Sequence, residues 1–281
     1  MKKYASMFLI LILAFAMMAC GGGGGRPGAN TASGGKYDGY ESTLYKVLGT
    51  GAIKIGVVGA FAPCSFTNAN GEWDGFEVAV AKRIADSLGA KLELIEITSD
   101  TRISSIETGK CDVVMGNSTR TLARVQKVAF SDTLIVSSER LIVLGNSRID
   151  GIDTVPSGAK VGVCKGATCD QQILARRTDV EIVYYRSPTD GVVAVKNGQV
   201  VAFAEDSNTL EYQASLTGGV KVVGDPLDTI SYNSMMLPIA DQIWINYINE
   251  FVFEFNVTGE NVRLFKQYFG AEPFTTFVPQ Y

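Results

Sequence analysis

Strand-patterned and helix-patterned segments alternate along most of this chain, and that alternation restricts the fold more than any other feature. Ala52–Val58 and Lys91–Ile97 have the apolar or alternating patterns of strands, and residues 111–115 form a third such run. Phe76–Leu88 carries apolar residues at helical spacing, and a short helix is predicted from about 100 to 108. Because strands that alternate with helices form parallel sheets with right-handed crossovers, the predicted fold class is α/β.

A second series of the same kind follows a strand predicted at residues 140–144. We therefore expect two α/β lobes, each a mostly parallel sheet flanked by helices, with lobe 1 at residues 37–136 and 237–281 and lobe 2 at residues 137–236. The chain would pass twice between the lobes through two hinge strands, so that the cleft can close on a ligand. The strands predicted in the second series are 160–163, 180–185, 200–203 and Val220–Val223, with helices that start at Cys169 and Pro188.

The N-terminal segment has the composition of an export signal followed by a tether. Two lysines precede an apolar run that is too short to cross a membrane comfortably, and Ala19 precedes Cys20. This pattern resembles a bacterial lipoprotein signal at residues 1–19, which would leave a lipid on Cys20; a plain secretory signal is the alternative. Residues 20–36 are glycine-rich and are predicted to form a flexible tether. The protein is thus expected to be exported and anchored to the outer face of a bacterial membrane, in the periplasm or at the cell surface.

Composition excludes several classes of chemistry. The chain of 281 residues has no histidine, which rules out imidazole metal sites, Ser-His-Asp triads and Cys-His pairs. Its net charge of −4 argues against binding to nucleic acid. No metal, cofactor or nucleic acid is therefore expected as a partner.

Four cysteines follow Cys20, and export permits them to form disulfides. Cys164 and Cys169 bracket four residues and are close enough in sequence to be bridged if the backbone turns there. The alternative is that both thiols stay free. The pairing of the other two, Cys64 and Cys111, is left open.

Residues 117–132 combine a strand end with features that suit an anion. An apolar run leads into small hydroxyl and amide residues, and Arg124 follows on what is predicted to be one helical turn. Backbone N–H groups freed at a strand end, together with a planar guanidinium, can hold a carboxylate through two parallel hydrogen bonds. The alternative is an ordinary strand–turn–helix unit, with Thr121 as the helix cap and Arg124 in solvent.

The second series offers two complementary groups. Gly166 and Thr168 precede a predicted helix, where free N–H groups attract an anion; helix capping is the alternative role for Thr168. Asp206 follows a buried strand and could neutralise an ammonium group, or else cap the next helix. With Arg124 and Thr119 in one lobe and Thr168 and Asp206 in the other, the set matches a carboxylate and an ammonium group. That combination describes an α-amino acid.

Two further side chains lie in loops that follow predicted strands. Phe61 could cover one face of a ligand, although packing in the core is the ordinary fate of a phenylalanine. Arg102, three residues after Ser99, lies at the mouth of the second loop, where a lone arginine is usually solvated.

From about Ala52 to Phe269 the chain resembles the polar amino-acid-binding proteins of ABC transporters, the family 3 solute-binding proteins. The resemblance implies the two-lobed type II periplasmic-binding fold, an L-amino acid ligand, an ABC permease as partner and a monomeric protein. The motifs that carry it are Asp74-Gly75-Phe76-Glu77, Gly109-Lys-Cys-Asp112, Thr121-Leu-Ala-Arg124, Val128-Ala-Phe-Ser131-Asp132, Gly162-Val-Cys-Lys-Gly166 and Asn197-Gly-Gln-Val-Val-Ala202 leading to Asp206.

The resemblance also implies roles for individual residues. Arg124 would clamp the α-carboxylate of the ligand, together with Thr119 and the backbone of Thr168. The backbone carbonyl of Asn117 and the carboxylate of Asp206 would bind the α-ammonium group. Phe61 occupies the position of the family's stacking aromatic residue.

Within the family, the segment from Ser99 to Arg102 is most similar to the glutamate and aspartate binders. In those proteins the arginine at the Arg102 position binds the side-chain carboxylate of the ligand, and the serine at the Ser99 position assists it. Two other members of that pocket are not reproduced. A basic residue is replaced by Val58, and a histidine falls near Pro188; Arg186 is a substitute. Several family members carry a polar side chain that reads the ligand at the Val58 position, so its absence argues against strongly cationic ligands. An acidic ligand and a polar neutral one both stay open.

The expected function is therefore that of an extracytoplasmic binding protein that delivers an amino acid to an ABC importer and is not an enzyme. The alternative is a cyclohexadienyl dehydratase on the same scaffold, which removes water and carbon dioxide from prephenate or arogenate. Such an enzyme needs a proton donor in the cleft, for which Glu205 is the candidate.

Overall fold

A computed structural model describes residues 41–274 of the chain, so the predicted signal, Cys20 and the tether lie outside the described residues. The helices are α1 (Thr43–Thr50), α2 (Phe76–Leu88), α3 (Arg102–Glu107), α4 (Cys169–Arg176), α5 (Pro188–Lys196), α6 (Ser207–Thr217), α7 (Gln242–Val257) and α8 (Glu260–Phe269). The strands are β1 (Ala52–Val58), β2 (Phe66–Thr67), β3 (Trp73–Asp74), β4 (Lys91–Ile97), β5 (Val113–Thr119), β6 (Ala129–Ser137), β7 (Glu139–Leu144), β8 (Lys160–Cys164), β9 (Glu181–Tyr185), β10 (Ala202–Asp206), β11 (Val220–Val223) and β12 (Ser231–Leu237). None of the helices between residues 41 and 274 is long and apolar enough to cross a membrane.

Two five-stranded sheets organise these elements, and each is mixed. The first has the strand order β4-β1-β5-β12-β6, and the second has the order β11-β7-β10-β8-β9. In each sheet two neighbouring pairs are parallel and two are antiparallel. The α/β class and the two-lobed architecture are confirmed, whereas the expected predominance of parallel pairs is corrected. The antiparallel pairs involve the strands by which the chain enters and leaves each lobe.

The chain passes twice between the lobes, once between β6 and β7 and once between β11 and β12. The chain leaves the first sheet after β6, and β7 begins at Glu139 in the second sheet. It returns between β11 and β12, and Ser231 at the start of β12 lies opposite Ser137 at the end of β6. The whole of β12 thus belongs to the first sheet, whereas the boundary expected from the sequence placed residues 231–236 in lobe 2. Met235, Met236 and Leu237 explain this placement, because they are buried in the core of the first lobe.

Helix α2 shows how the apolar pattern builds the first core. Phe76, Val80 and Ile84 lie on its buried face, and the ring of Phe76 packs edge-on against those of Phe265 and Phe269 on α8. The helix ends where predicted, because Gly89 adopts a left-handed conformation with a φ of 58°.

Two strands extend further than their apolar patterns predict. β5 continues to Thr119 because its polar end pairs with β12, where Thr119 lies opposite Asn233. β10 continues to Asp206, which lies opposite Glu139 of β7. Residues predicted to lie in loops are therefore held on paired strands at the edge of the cleft.

Candidate functional site

The described residues form a narrow cavity between the lobes, and the empty space in it and at its solvent-open mouth is about 320 Å³. All eight residues predicted to contact a ligand line it: Phe61, Ser99, Arg102, Asn117, Thr119, Arg124, Thr168 and Asp206. Five more residues complete the lining: Glu139, Cys164, Ala167, Cys169 and Glu205, the last of which was predicted only as the proton donor of the alternative enzyme. The cavity is therefore rich in charged side chains, two of them cationic and three anionic.

Arg124 lies on the turn after β5 and reaches across the cleft. Thr121 caps this turn, as the alternative interpretation expected, because its hydroxyl accepts the backbone N–H of Arg124 at 3.2 Å. The guanidinium donates to the carbonyl of Thr119 at 2.7 Å and to the carbonyl of Gly166 in the second lobe at 2.9 Å. Burial, reinforced by nearby Arg102, lowers the pKa of Arg124 to about 10. Arg124 is thus not the solvated arginine of the alternative interpretation.

Arg102 is more deeply buried, with 5% of its surface exposed. Its guanidinium donates to three backbone carbonyls, those of Ser99 at 2.8 Å, Gly116 at 2.5 Å and, across the cleft, Gly166 at 3.0 Å. Burial lowers the pKa of Arg102, and the nearby carboxylate of Glu205 opposes that shift most strongly. These contacts fix the plane of the guanidinium beside the cavity.

Glu77, known from the sequence only as part of the motif at residues 74–77, shapes the end of β5. Its carboxylate is 3% exposed and accepts the backbone N–H groups of Gly116 at 2.8 Å and Asn117 at 2.7 Å. Burial raises the pKa of Glu77, and these two hydrogen bonds oppose the shift. Asn117 adopts a left-handed conformation with a φ of 50°, and its side-chain amide donates to the carboxylate of Asp206 across the cleft. The signal in the sequence is an acidic residue on the apolar face of α2.

The second lobe contributes three buried carboxylates. Asp206 and Glu139 are cross-strand neighbours, and Glu205 accepts the backbone N–H of Asp206 at 3.1 Å. Burial, followed by the charges of Glu205 and Glu139, raises the pKa of Asp206 well above its usual range, and burial also raises the pKa of Glu205. A positive charge placed beside Asp206 would therefore stabilise its ionised form.

Asp206 and Thr168 precede helices without capping them through their side chains. Neither side chain makes a capping hydrogen bond to its helix. The hydroxyl of Thr168 donates instead to Glu139 at 3.2 Å, and the carboxylate of Asp206 accepts from Asn117 and Asn233. Both polar groups are thus directed to the site and not to their helices.

Phe61 could have packed in the core or covered a ligand, and it is placed to do both. It is 2% exposed in the core of the first lobe, and it also lines the cavity. Arg186, the substitute suggested for a missing pocket residue, lies instead on a neighbouring side cavity together with Val58. The sequence motifs alone do not separate these two cavities.

Cys164 and Cys169 are free thiols, as are Cys64 and Cys111. The bridge that their spacing allowed is absent because the two side chains pack into different apolar clusters of the second lobe. Burial raises the pKa of both thiols well above the usual value. They therefore remain protonated and weakly reactive at neutral pH.

The family can be assigned from residues 53–271, which match the model of the bacterial extracellular solute-binding proteins, family 3. The chain belongs to this family. Within it, this family 3 protein is an amino-acid-binding component of ABC transporters and acts outside the cytoplasm.

Individual relatives support the assignment along nearly the whole chain. The ABC transporter glutamine-binding protein GlnH of Bacillus subtilis (strain 168) is 27% identical over 278 residues, which cover 97% of this chain and 99% of the relative. The histidine-binding periplasmic protein of Salmonella typhimurium is 30% identical over 158 residues, which cover 55% of this chain and 60% of the relative. These similar proteins are binding proteins and not enzymes, which confirms the expectation that the chain has no catalytic role.

Among solved structures, an ancestral amino acid-binding protein described as a precursor of cyclohexadienyl dehydratase is similar, with a TM-score of 0.77 and 28% identity. The match covers 81% of this chain and 100% of that protein. This neighbour of the dehydratase lineage is thus itself a binding protein. The narrower expectation of closeness to the glutamate and aspartate binders stays a prediction.

Proposed function

We propose that this family 3 protein captures one polar L-amino acid between its lobes and delivers it to the permease of an ABC importer. The observation that carries the proposal is the position of Arg124 and Asp206 on opposite lobes around a single cavity. A partly buried guanidinium matches a carboxylate, and a buried carboxylate matches an ammonium group. An α-amino acid supplies both charges on one carbon atom.

The remaining contacts follow from the same arrangement. Thr119 and the N-terminus of α4 at Thr168 would support the α-carboxylate, and Asn117 would support the α-ammonium group. Phe61 would cover an apolar face of the ligand, and Ser99 would act with Arg102 near the ligand side chain. Since both lobes contribute contacts, ligand binding would favour the closed arrangement, which the permease would recognise.

We also propose that the protein acts as a monomer held at the outer face of a bacterial membrane by a lipid on Cys20. Residues 1–19 would be removed as a signal peptide, and residues 20–36 would serve as a tether. A lipid together with a glycine-rich tether would keep the binding lobes close to the permease while leaving them free to turn.

A thermal-shift screen against the common L-amino acids tests the proposed function, since a ligand that binds only the folded protein raises the melting temperature. We expect a clear increase with a small group of polar amino acids, and calorimetric titration of the best one to give one site per chain. A flat response to every amino acid would reject the proposal.

A further inference from the structure

Strand β12 of the first lobe meets the second lobe through two of its first three side chains. Ser231 and Asn233 point to the same face, because side chains alternate along a strand; both are buried, whereas Tyr232 between them is 47% exposed. The hydroxyl of Ser231 donates to Glu139 at 2.6 Å, and the side-chain amide of Asn233 donates to Asp206 at 3.3 Å. One strand of the first lobe thus binds two neighbouring carboxylates of the second.

The two carboxylate oxygens of Asp206 have different surroundings. Oδ2 accepts from two side-chain amides of the first lobe, those of Asn117 and Asn233. Oδ1 is buried and accepts no hydrogen bond from residues 41–274. Asp206 lines the cavity between the lobes, and Asn233 is not among the described residues that do so. Asn233 therefore binds Asp206 from outside the cavity, and Oδ1 is the oxygen that is left for a ligand.

The backbone at Asn233 is held on both sides. β12 pairs with β5 and with β6, and Asn233 lies opposite Thr119 of β5 and Ile135 of β6. The pairing with β6 shifts its register directly after Asn233, at Ser234, as it does at a β-bulge. A side chain whose backbone is fixed in this way can orient a neighbouring group before any ligand arrives.

The amide of Asn233 also favours the charged form of its acceptor. Burial, followed by the charges of Glu205 and Glu139, raises the pKa of Asp206, and the side chains of Ser137 and Asn233 oppose that shift. An ammonium group pairs best with an ionised carboxylate. A donor on Oδ2 that favours the ionised form therefore also favours the binding of an ammonium group at Oδ1.

We infer that Asn233 is a positioning residue of the ligand site, whose amide holds Oδ2 of Asp206 from the opposite lobe so that Oδ1 faces the ammonium group of the ligand. This inference rests on the proposed function and adds a residue that acts through Asp206 without lining the cavity. It concerns the group that all α-amino acids share, so it holds for any of them.

Calorimetric titration of three variants tests the inference. The probe is whichever of the common L-amino acids binds the wild-type protein most tightly. Asn233→Ala removes the donor, and Asn233→Asp keeps the shape of the side chain but can donate to Asp206 only while the new carboxyl group holds a proton. Asn246→Asp makes the same exchange at an exposed position on α7 and is the control.

At neutral pH, Asn233→Ala should bind the probe about fivefold to tenfold more weakly than the wild type, because one hydrogen bond to a charged group is lost. Asn246→Asp should bind like the wild type. Circular dichroism of each variant, at every pH used, checks that it has folded.

The pH profile separates positioning from a purely structural role. From about pH 5.5 to about pH 8, the wild type should bind equally well or more tightly as Asp206 ionises, whereas Asn233→Asp should lose affinity as two adjacent carboxylates become charged. The other titratable groups that act on Asp206 are the same in all the proteins compared: Glu139, Glu205, Arg102, Arg124 and Cys64. A difference between the profiles therefore reports on residue 233.

Two results would overturn the inference. One is a folded Asn233→Ala variant with the affinity of the wild type. The other is an Asn233→Asp variant that binds more weakly than the wild type by the same factor at every pH, since residue 233 would then serve only the structure of the strand. A wild-type protein that binds no amino acid at all would instead reject the proposed function itself.

Discussion

The guanidinium of Arg124 lies 2.9 Å from the carbonyl oxygen of Gly166, and these two residues belong to opposite lobes. The same oxygen also accepts from Arg102 at 3.0 Å. One backbone carbonyl of the second lobe thus meets both arginines of the first. Gly166 has a φ of 82°, and a Cβ atom there would lie 2.7 Å from the Cα atom of Asp100. The lobes can approach this closely only because residue 166 has no side chain.

We therefore predict that Gly166→Ala weakens ligand binding by about tenfold or more, because the methyl group holds the lobes apart and the ligand loses contacts to one of them. Isothermal titration measures the affinity, and small-angle scattering with saturating ligand measures closure. Gly158→Ala is the matched control, because it has a similar φ of 73° but no atom within 4 Å of the added methyl group. Equal affinities in the two variants would contradict the role given to Gly166.

Arg124→Ala should reduce the affinity for the best amino acid by about 2–5 kcal/mol, since the buried α-carboxylate of the ligand is left without its charged partner. Isothermal titration gives the loss directly. Arg263→Ala, whose side chain is 55% exposed on α8, serves as the control and should bind normally. Unchanged affinity in Arg124→Ala would reject the proposed clamp.

Asp206→Asn should make the ligand-free protein more stable at neutral pH and at the same time weaken ligand binding. The pKa of Asp206 is raised by burial and by neighbouring carboxylates. A carboxyl group whose pKa is higher in the folded state contributes stability that is fully present below its unfolded value. That contribution is lost as the pH rises through the folded value.

Urea unfolding of the wild type and of Asp206→Asn over a pH series measures this effect. The wild type should lose stability as the pH rises from the unfolded pKa of an aspartate, about 3.9, towards neutrality, and the variant should lose less. Asp228→Asn, at an exposed position, should follow the wild type. Parallel pH profiles for wild type and Asp206→Asn would show that Asp206 is not the group responsible.

Glu77→Ala should lower the free energy of unfolding by about 2–4 kcal/mol, because two buried N–H groups, those of Gly116 and Asn117, lose their acceptor. Glu77→Gln should cost less, since its amide oxygen can still accept one or both bonds. Chemical denaturation of both variants provides the comparison. Equal stability of the alanine and glutamine variants would contradict the assigned hydrogen-bonding role.

Cys20→Ala should release the protein from the membrane fraction, because one acyl-bearing cysteine is the only anchor proposed for the exported lobes. Cell fractionation and labelling with an alkyne fatty acid measure both attachment and lipidation. Cys64→Ala leaves the proposed lipid site intact and should stay in the membrane fraction. Membrane retention of an unlabelled Cys20→Ala protein would reject the lipid anchor.

Where apolar residues recur regularly and a glycine ends the element, the first and last residues could be predicted correctly from the sequence. Ala52–Val58, Phe76–Leu88 and Lys91–Ile97 have the predicted bounds, because their apolar patterns and the packing of the core agree. β12 was predicted as a strand, but its pattern does not specify which sheet it joins. That choice depends on pairing with β5 and β6, which are distant in sequence.

The residues of the site likewise divide into those that the sequence could predict and those that it could not. Side chains at strand ends, such as Arg124 and Asp206, could be anticipated because the topology gathers strand ends at one edge. The burial of Arg102 could not, because its three acceptors, two in turns and one on β5, come together only in the folded protein. Glu139 was missed for the same reason, because its place in the site depends on hydrogen bonds from Thr168 and Ser231, which are distant in sequence.

The place of β12 in the first sheet has a consequence for the order of folding. The second lobe is one uninterrupted segment inserted into the first, so all its strands can pair as soon as that segment has been made. The first sheet must wait for β12, which separates β5 from β6 and joins them only after the inserted lobe has emerged. Until then the apolar edges of β5 and β6 stay open to other chains, which makes this interval the period of greatest risk of aggregation.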